Sequence, residues 1–211
     1  KRSAILSLFF IANFALQACS QTTEKHPELK EGQIEIKAEV WADNWFSFYL
    51  GEKLIQEDSV SITTERSFNS ETFTFIADYP LTLNLVAKDF IQNDTGLEYI
   101  GTRRQQIGDG GLIAQFSNAR TGELIAVTSS RWKCKVIHEA PLSNDCERED
   151  KPSAGKKPCE FVASEEPKDW KTPDFNISKW DSASLYRAQD VRPKGGYDDI
   201  SWNPSAKFIW G

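Results

Sequence analysis

From Gln33 onward, apolar and polar residues alternate in short runs, the pattern of strands with one buried face. In the stretch 34–40 every second residue is apolar, with Glu and Lys between. The stretch 45–50 repeats the alternation, with Phe on one face and Trp and Tyr on the other. A turn at Gly51-Glu52 and an apolar return at 53–56 predict a hairpin.

Further runs of the same kind follow at intervals of about 8–12 residues, with turn residues between them. They lie at 59–64, 72–77, 81–87, 112–116, 124–128, 132–136 and 206–210. Helical periodicity is not evident in these windows, so the chain is predicted to be all-β, a sandwich or a barrel.

The first 18 residues differ from the rest of the chain. Lys1 and Arg2 precede an apolar run at 4–16. That run is shorter than the roughly 20 residues that a membrane-spanning helix needs, and it fits the leader of an exported protein. We therefore predict a signal peptide at 1–18, a polar tether at 19–32 and a β-domain at 33–211.

The leader ends in Leu16-Gln17-Ala18-Cys19, which resembles the lipobox of bacterial lipoproteins. The resemblance implies cleavage before Cys19 and lipidation of its thiol, with acyl chains that hold the protein on a membrane. Ser20 stands where Asp would favour the inner membrane, so the outer membrane is expected. The alternative is an ordinary secretory signal that leaves Cys19 unmodified.

Three cysteines follow Cys19, and export to an oxidising compartment predicts one disulfide among Cys134, Cys146 and Cys159. The stretch 139–173 is rich in Pro, Lys and acidic residues and predicts a long irregular loop. Cys146 and Cys159 lie within it and are expected to staple it. The odd cysteine number and the apolar ending at 206–210 lead us to expect a chain that continues past Gly211.

The charge excludes one class of partner. The whole chain has a formal net charge of −6, and the loss of Lys1 and Arg2 with the leader lowers it by two, to −8. A chain this acidic, without a basic cluster, is not expected to bind nucleic acid. Nothing in the sequence specifies an oligomeric state.

Three segments resemble the galactose-binding-like jelly rolls found as accessory domains of α-rhamnosidase-type glycosidases. They are Glu39–Ile55, Pro80–Ala87 and Trp170–Trp180. The resemblance implies a jelly-roll β-sandwich whose aromatic residues are mainly structural. Leu50 and Asn176 depart from the family pattern, which has Asn and Asp there.

Aromatic residues beside amides and carboxylates indicate where a saccharide could bind. The chain has seven Trp and five Tyr, and sugar binders stack pyranose faces on such rings while Asp and Asn accept hydrogen bonds from hydroxyl groups. The candidate ligand-binding cluster comprises Trp41, Asp43, Asn44, Trp45 and Tyr49. The alternative is that these rings pack under the loop or a second sheet.

Two other features carry weaker hypotheses. Asp109, within Gly108-Asp109-Gly110-Gly111, is a candidate ligand of a structural Ca²⁺, although a plain hairpin turn is the favoured interpretation of the motif. His138 is expected to be structural, because no catalytic motif accompanies it.

These patterns leave three functional hypotheses. The first is a lipid-anchored, non-catalytic carbohydrate-binding module. The second is a structural or protein-interaction module of the cell envelope, and the third is the accessory domain of a glycoside hydrolase.

Overall fold

A computed structural model describes residues 26–211, and the predicted leader and Cys19 lie outside them. Fifteen strands are present in this part of the chain: β1 (Gln33–Asp43), β2 (Trp45–Leu50), β3 (Lys53–Glu57), β4 (Asn69–Asp78), β5 (Leu83–Lys88), β6 (Leu97–Glu98), β7 (Gln106–Ile107), β8 (Gly111–Asn118), β9 (Leu124–Val127), β10 (Lys133–Cys134), β11 (His138–Glu139), β12 (Val162–Ala163), β13 (Asp181–Ser182), β14 (Ser184–Tyr186) and β15 (Phe208–Trp210). One short helix, α1 (Ala188–Val191), and two 3-10 helices, Asn144–Arg148 and Tyr197–Asp199, complete the elements. None of these helices is long and apolar enough to cross a membrane.

Two antiparallel sheets form the body of the protein. The larger has the strand order β14-β15-β8-β1-β4, with β9 paired to β8. The smaller has the order β3-β2-β5. The alternation read from the sequence of β1 places Ile36, Ala38 and Val40 on the face that meets the smaller sheet, and all three are fully buried. The all-β prediction is thereby confirmed, with a sandwich-like packing of the sheets.

A cluster of phenylalanine rings joins the sheets. Phe48 of β2 is fully buried, and its ring centroid lies 5.2 Å from those of Phe75 and Phe116 and 5.7 Å from that of Phe73. Since β2 belongs to the smaller sheet and these partners to the larger, the contact spans the core. Aromatic pairs at such separations stabilise a core beyond their buried area.

The outer face of the larger sheet is covered by the segment 187–207. Trp41 of β1 points outward into this cover, is fully buried, and packs edge-on against Phe208 and Tyr197. Its Nε1 donates to the carbonyl oxygens of Lys194 (2.8 Å) and Gly195 (2.9 Å). The cover is therefore bound through one indole group as well as through apolar contact.

The irregular segment 139–173 carries the predicted staple. Cys146 and Cys159 form a disulfide, and both are buried against Leu97. Their pairing confirms the predicted loop staple. Cys134 forms no disulfide within residues 26–211.

Two predicted strands differ from the structure. The stretch 59–64 contains no strand, and only Lys133–Cys134 of the stretch 132–136 is one. In the first case the Ser67 hydroxyl accepts hydrogen bonds from the backbone N–H groups of Thr63 and Thr64, both at 3.1 Å. Such local side-chain bonds replace the ladder bonds of a strand and turn the chain.

Replacing Phe48 by alanine is expected to lower the free energy of unfolding by about 3–5 kcal/mol, because the change removes a buried ring and leaves a cavity between the sheets. Denaturant titration followed by tryptophan fluorescence measures the loss. Leu142→Ala is the matched control, since Leu142 is 47% exposed and should change the stability by less than about 0.5 kcal/mol. Equal effects of the two substitutions would contradict the position of Phe48.

Candidate functional site

The five residues of the predicted ligand cluster do not share one surface. β1 lies in the larger sheet and β2 in the smaller, so the chain changes sheet between Asp43 and Trp45. Trp41 is fully buried beneath the cover segment. Its ring therefore presents no face to a saccharide, and this part of the prediction is corrected.

Asn44 also has a structural position instead of an exposed one. It is fully buried. Its Oδ1 accepts from the backbone N–H of Phe90 at 2.6 Å, and its Nδ2 donates to the carbonyl of Glu65 at 3.3 Å. Because both ends of the amide are occupied by backbone groups, Asn44 joins segments of the chain and has no free group for a ligand.

Trp45 and Tyr49 lie together on the outer face of the smaller sheet, as the strand alternation predicted, and both are half-buried. The protein's own lysines lie over their rings. Lys88 Nζ is 4.6 Å from the Trp45 ring centroid, and Lys171 Nζ is 4.5 Å from that of Tyr49. These cation–π contacts cover the ring faces on which a sugar would stack.

A large groove instead opens between the sheets, along β5. Its volume is about 1490 Å³, and four of the chain's tryptophans line it. They are Trp132, Trp170, Trp180 and Trp210, each half-buried. Large concave sites with aromatic walls and a few polar groups are the usual form of small-molecule sites.

Local contacts hold these rings in place. Trp132 stacks on Phe116 and donates from Nε1 to the Val127 carbonyl at 2.8 Å. Trp170 and Trp180 pack against each other with centroids 5.8 Å apart. Since the rings are braced before any ligand arrives, little side-chain freedom remains to be lost on binding.

One end of the groove is acidic. Asp89, which follows β5, and Asp109 line it. Behind them lie Asp43 at the end of β1 and Glu98 of β6, which are 5% and 3% exposed. Glu98 accepts a hydrogen bond from Gln106 Nε2 at 2.8 Å. We call Asp43, Asp89, Glu98 and Asp109 the acid cluster.

Two members of the acid cluster, Asp43 and Asp89, have pKa values raised to near neutral pH. Burial, and then the charges of Asp89, Asp109 and Glu98, raise the pKa of Asp43 to about 8, against the opposing effect of Lys194. Burial and the charge of Glu98 raise the pKa of Asp89 to about 7, although the N–H of Phe90 counteracts them. Perturbed carboxyl groups beside a groove are frequent at functional sites.

The glycine motif beside the acid cluster serves close packing. A Cβ atom at Gly108 would overlap the Asp89 carboxylate, and one at Gly110 would overlap the Trp210 ring. Gly111 lies similarly against Val191, where a Cβ atom would come within 2.8 Å of Cγ1. None of these three glycines has a positive φ. The expected turn is thus corrected: these glycines are needed because neighbouring side chains occupy the space that a Cβ atom would take.

The surroundings of two weaker candidates from the sequence, Asp109 and His138, give no sign of a metal site or of catalysis in residues 26–211. Asp109 remains a predicted Ca²⁺ ligand, but no group of three or more His, Cys, Asp or Glu side chains within residues 26–211 is placed to hold a metal ion. His138 stacks on Phe161, and its Nε2 lies 3.2 Å from Asp94 Oδ1. Both contacts fit the structural role expected for His138.

Sequence reasoning missed Asp89, Glu98 and the joint position of the four tryptophans. The position of Asp89, an acidic residue directly after the apolar strand β5, could have indicated a candidate site residue. Trp170 and Trp180 were recognised through the jelly-roll resemblance, and the two rings do pack together. Their approach to Trp132 and Trp210 depends on long-range folding that no local spacing encodes.

No protein-family model, curated protein or solved structure is significantly similar to this chain.

The raised pKa values predict how stability varies with pH. Asp43 and Asp89 have ordinary pKa values of 3.8 when unfolded, so between that pH and about 7–8 the folded protein holds protons that the unfolded chain has released. The free energy of unfolding should therefore fall as the pH rises through this window, by the order of 1 kcal/mol per pH unit. Urea titrations across the window measure it.

Asp43→Asn should reduce that slope and stabilise the protein above pH 8 by about 2 kcal/mol, because asparagine resembles the neutral carboxyl group in shape. The exposed Asp150→Asn is the control and should leave the slope unchanged. Parallel curves for the wild type and Asp43→Asn would refute the buried, proton-binding position of Asp43.

Proposed function

We propose that this protein is an envelope-anchored lipoprotein that binds carbohydrate without catalysis, and that the groove along β5 is its binding site. The observation that carries the proposal is the gathering of four tryptophans around one groove with carboxylates at its end. The apolar C–H face of a pyranose stacks on indole rings, and carboxylates accept hydrogen bonds from its hydroxyl groups.

The resemblance to galactose-binding-like jelly rolls supports the same proposal. Two sheets joined by an aromatic core agree with such a domain. The segment 170–180, one of the three that carry the resemblance, contributes Trp170 and Trp180 to the groove wall. We therefore propose that the two sheets form a jelly-roll sandwich.

The lipid anchor is the second part of the proposal. The lipobox-like run ending at Cys19 supports it, and the polar stretch 20–32 separates the lipid from the first strand. An anchored domain would hold saccharide at the membrane surface, and the sequence favours the outer membrane.

Radiolabelled palmitate tests the anchor. Label is expected in the wild type and not in Cys19→Ala when both are expressed from the natural leader in a bacterium with lipoprotein processing. Cys134→Ala is the matched cysteine control and should be labelled like the wild type. Equal labelling of wild type and Cys19→Ala would overturn the anchor.

Glycan binding is tested on the soluble, oxidised protein 20–211 with a glycan array and then calorimetry. Trp180→Ala is expected to weaken binding at least about fivefold, because a stacked ring contributes of the order of 1 kcal/mol or more. Tyr79→Ala is the control, since Tyr79 is 62% exposed and lies outside the groove. A folded protein that bound no saccharide would contradict the proposal.

A second candidate function rests on the edge of the smaller sheet. Among the described strands, β5 pairs only with β2, and its inward side chains Leu83 and Leu85 are half-exposed to the groove. An unpaired edge with an apolar face is a template for an added strand from another protein. A negative glycan result with folded protein would favour this interaction function.

A further inference from the structure

The acid cluster brings four carboxylates together from four parts of the fold. Asp43 ends β1, Asp89 follows β5, Glu98 lies in β6, and Asp109 precedes β8. Each of the other three raises the pKa of Asp43, so all of them lie within electrostatic range of it. The cluster therefore forms only when these four parts of the chain have folded together.

Two cationic side chains act on the cluster, and four more basic residues line the groove: Lys88, Arg131, Lys133 and Lys135. Lys194 acts on Asp43, Glu98 and Asp109, and Arg192 acts on Asp109. Glu65, a fifth acid, faces Glu98 and adds negative charge. Neither cation forms an ion pair with a cluster member within residues 26–211. When the four acids are ionised, they carry more negative charge than Lys194 and Arg192 balance.

Asp43 is a nearly buried member of the acid cluster, behind the groove lining. It is 5% exposed, and in the described part of the chain its carboxylate accepts no hydrogen bond. A buried carboxylate without a partner is unfavourable unless it is protonated or meets a cation. Asp43 faces the carboxylates of Asp89 and Asp109, which line the groove.

The accessible members open toward the tryptophans. Asp89 is half-buried and Asp109 exposed, and both share the groove with Trp132 and Trp210. Trp210 packs on Gly110, directly beside Asp109. A ligand seated on these rings would place one of its substituents against the acid cluster.

We propose that the groove selects saccharides that carry a free amino group, and that the acid cluster receives the ammonium through Asp89 and Asp109. This inference rests on the proposed carbohydrate-binding function and names the ligand class. An ammonium supplies the charge and the hydrogen-bond donors that the cluster lacks, and indole rings attract cations as well as pyranose faces. A neutral sugar can stack on the indole rings but has no ammonium group for the acid cluster.

The test compares two oligosaccharides of equal length that differ in one group, a glucosamine oligomer and its N-acetylated counterpart. Calorimetry near neutral pH, with EDTA present to remove divalent cations, measures both affinities on the soluble 20–211 protein. The amine form is expected to bind at least about tenfold more tightly, which is the range of one charge-assisted hydrogen bond. Added salt should reduce the ratio, because screening weakens the charge contribution.

Asp89→Asn and Asp109→Asn should each lower the ratio of affinities toward one while binding of the N-acetylated oligomer is retained. Retained binding also shows that the variants are folded. Glu139→Gln is the control, since Glu139 lines the groove outside the acid cluster and its loss should leave the ratio unchanged.

The outcomes separate the two proposals. If neither oligomer nor any other saccharide binds, the proposed function fails and this inference fails with it. If both oligomers bind equally, or if the preference for the amine survives in both Asp variants, only the selection by the acid cluster is overturned.

Discussion

The buried amide of Asn44 is the interaction on which the arrangement of the two sheets depends. Between β1 and β2 the chain leaves the larger sheet and enters the smaller, and Asn44 stands at that corner. Its backbone N–H donates to the Lys88 carbonyl at 2.9 Å, and its side chain bonds Phe90 and Glu65. A side chain that satisfies buried backbone groups on both sides of a corner stabilises that corner strongly, since each such group would otherwise lose its partner.

The acid cluster follows from the same corner. Asp43 precedes Asn44, and the segment that Asn44 holds, 88–90, contains Asp89. Two carboxylates are thus brought together by bonds made by their neighbours. Their raised pKa values express the unfavourable burial of charge that results. Protons on these carboxylates relieve that charge, and the ammonium that we propose for the groove would relieve it as well.

The groove exists because the smaller sheet has three strands and the larger has six. The inner side chains of β5 pack against the core but are only half-buried. Segment 166–180 brings Trp170 and Trp180 to one wall, and β15 brings Trp210 to another. The aromatic residues thus complete a surface that the core leaves open.

The sequence alone determined the all-β class and the principal strands. It predicted one disulfide among Cys134, Cys146 and Cys159, and the structure decided that the pair is Cys146–Cys159. Alternation has a period of two in any strand with one buried face, so β1, β2, β4 and β8 could be read directly. It could not show that the outer face of β1 is also covered. Trp41 is buried because the segment 187–207, about 150 residues later, folds over it.

Only the tertiary structure decided which carboxylates and aromatic residues lie close together. Asp43 and Trp45 are neighbours in sequence yet lie on different sheets, whereas Asp43 and Asp89 are distant in sequence yet close in space. Strand alternation is local, but the sheet to which a strand belongs depends on long-range pairing and on the burial of Asn44. That is why the strands could be predicted and the groove could not.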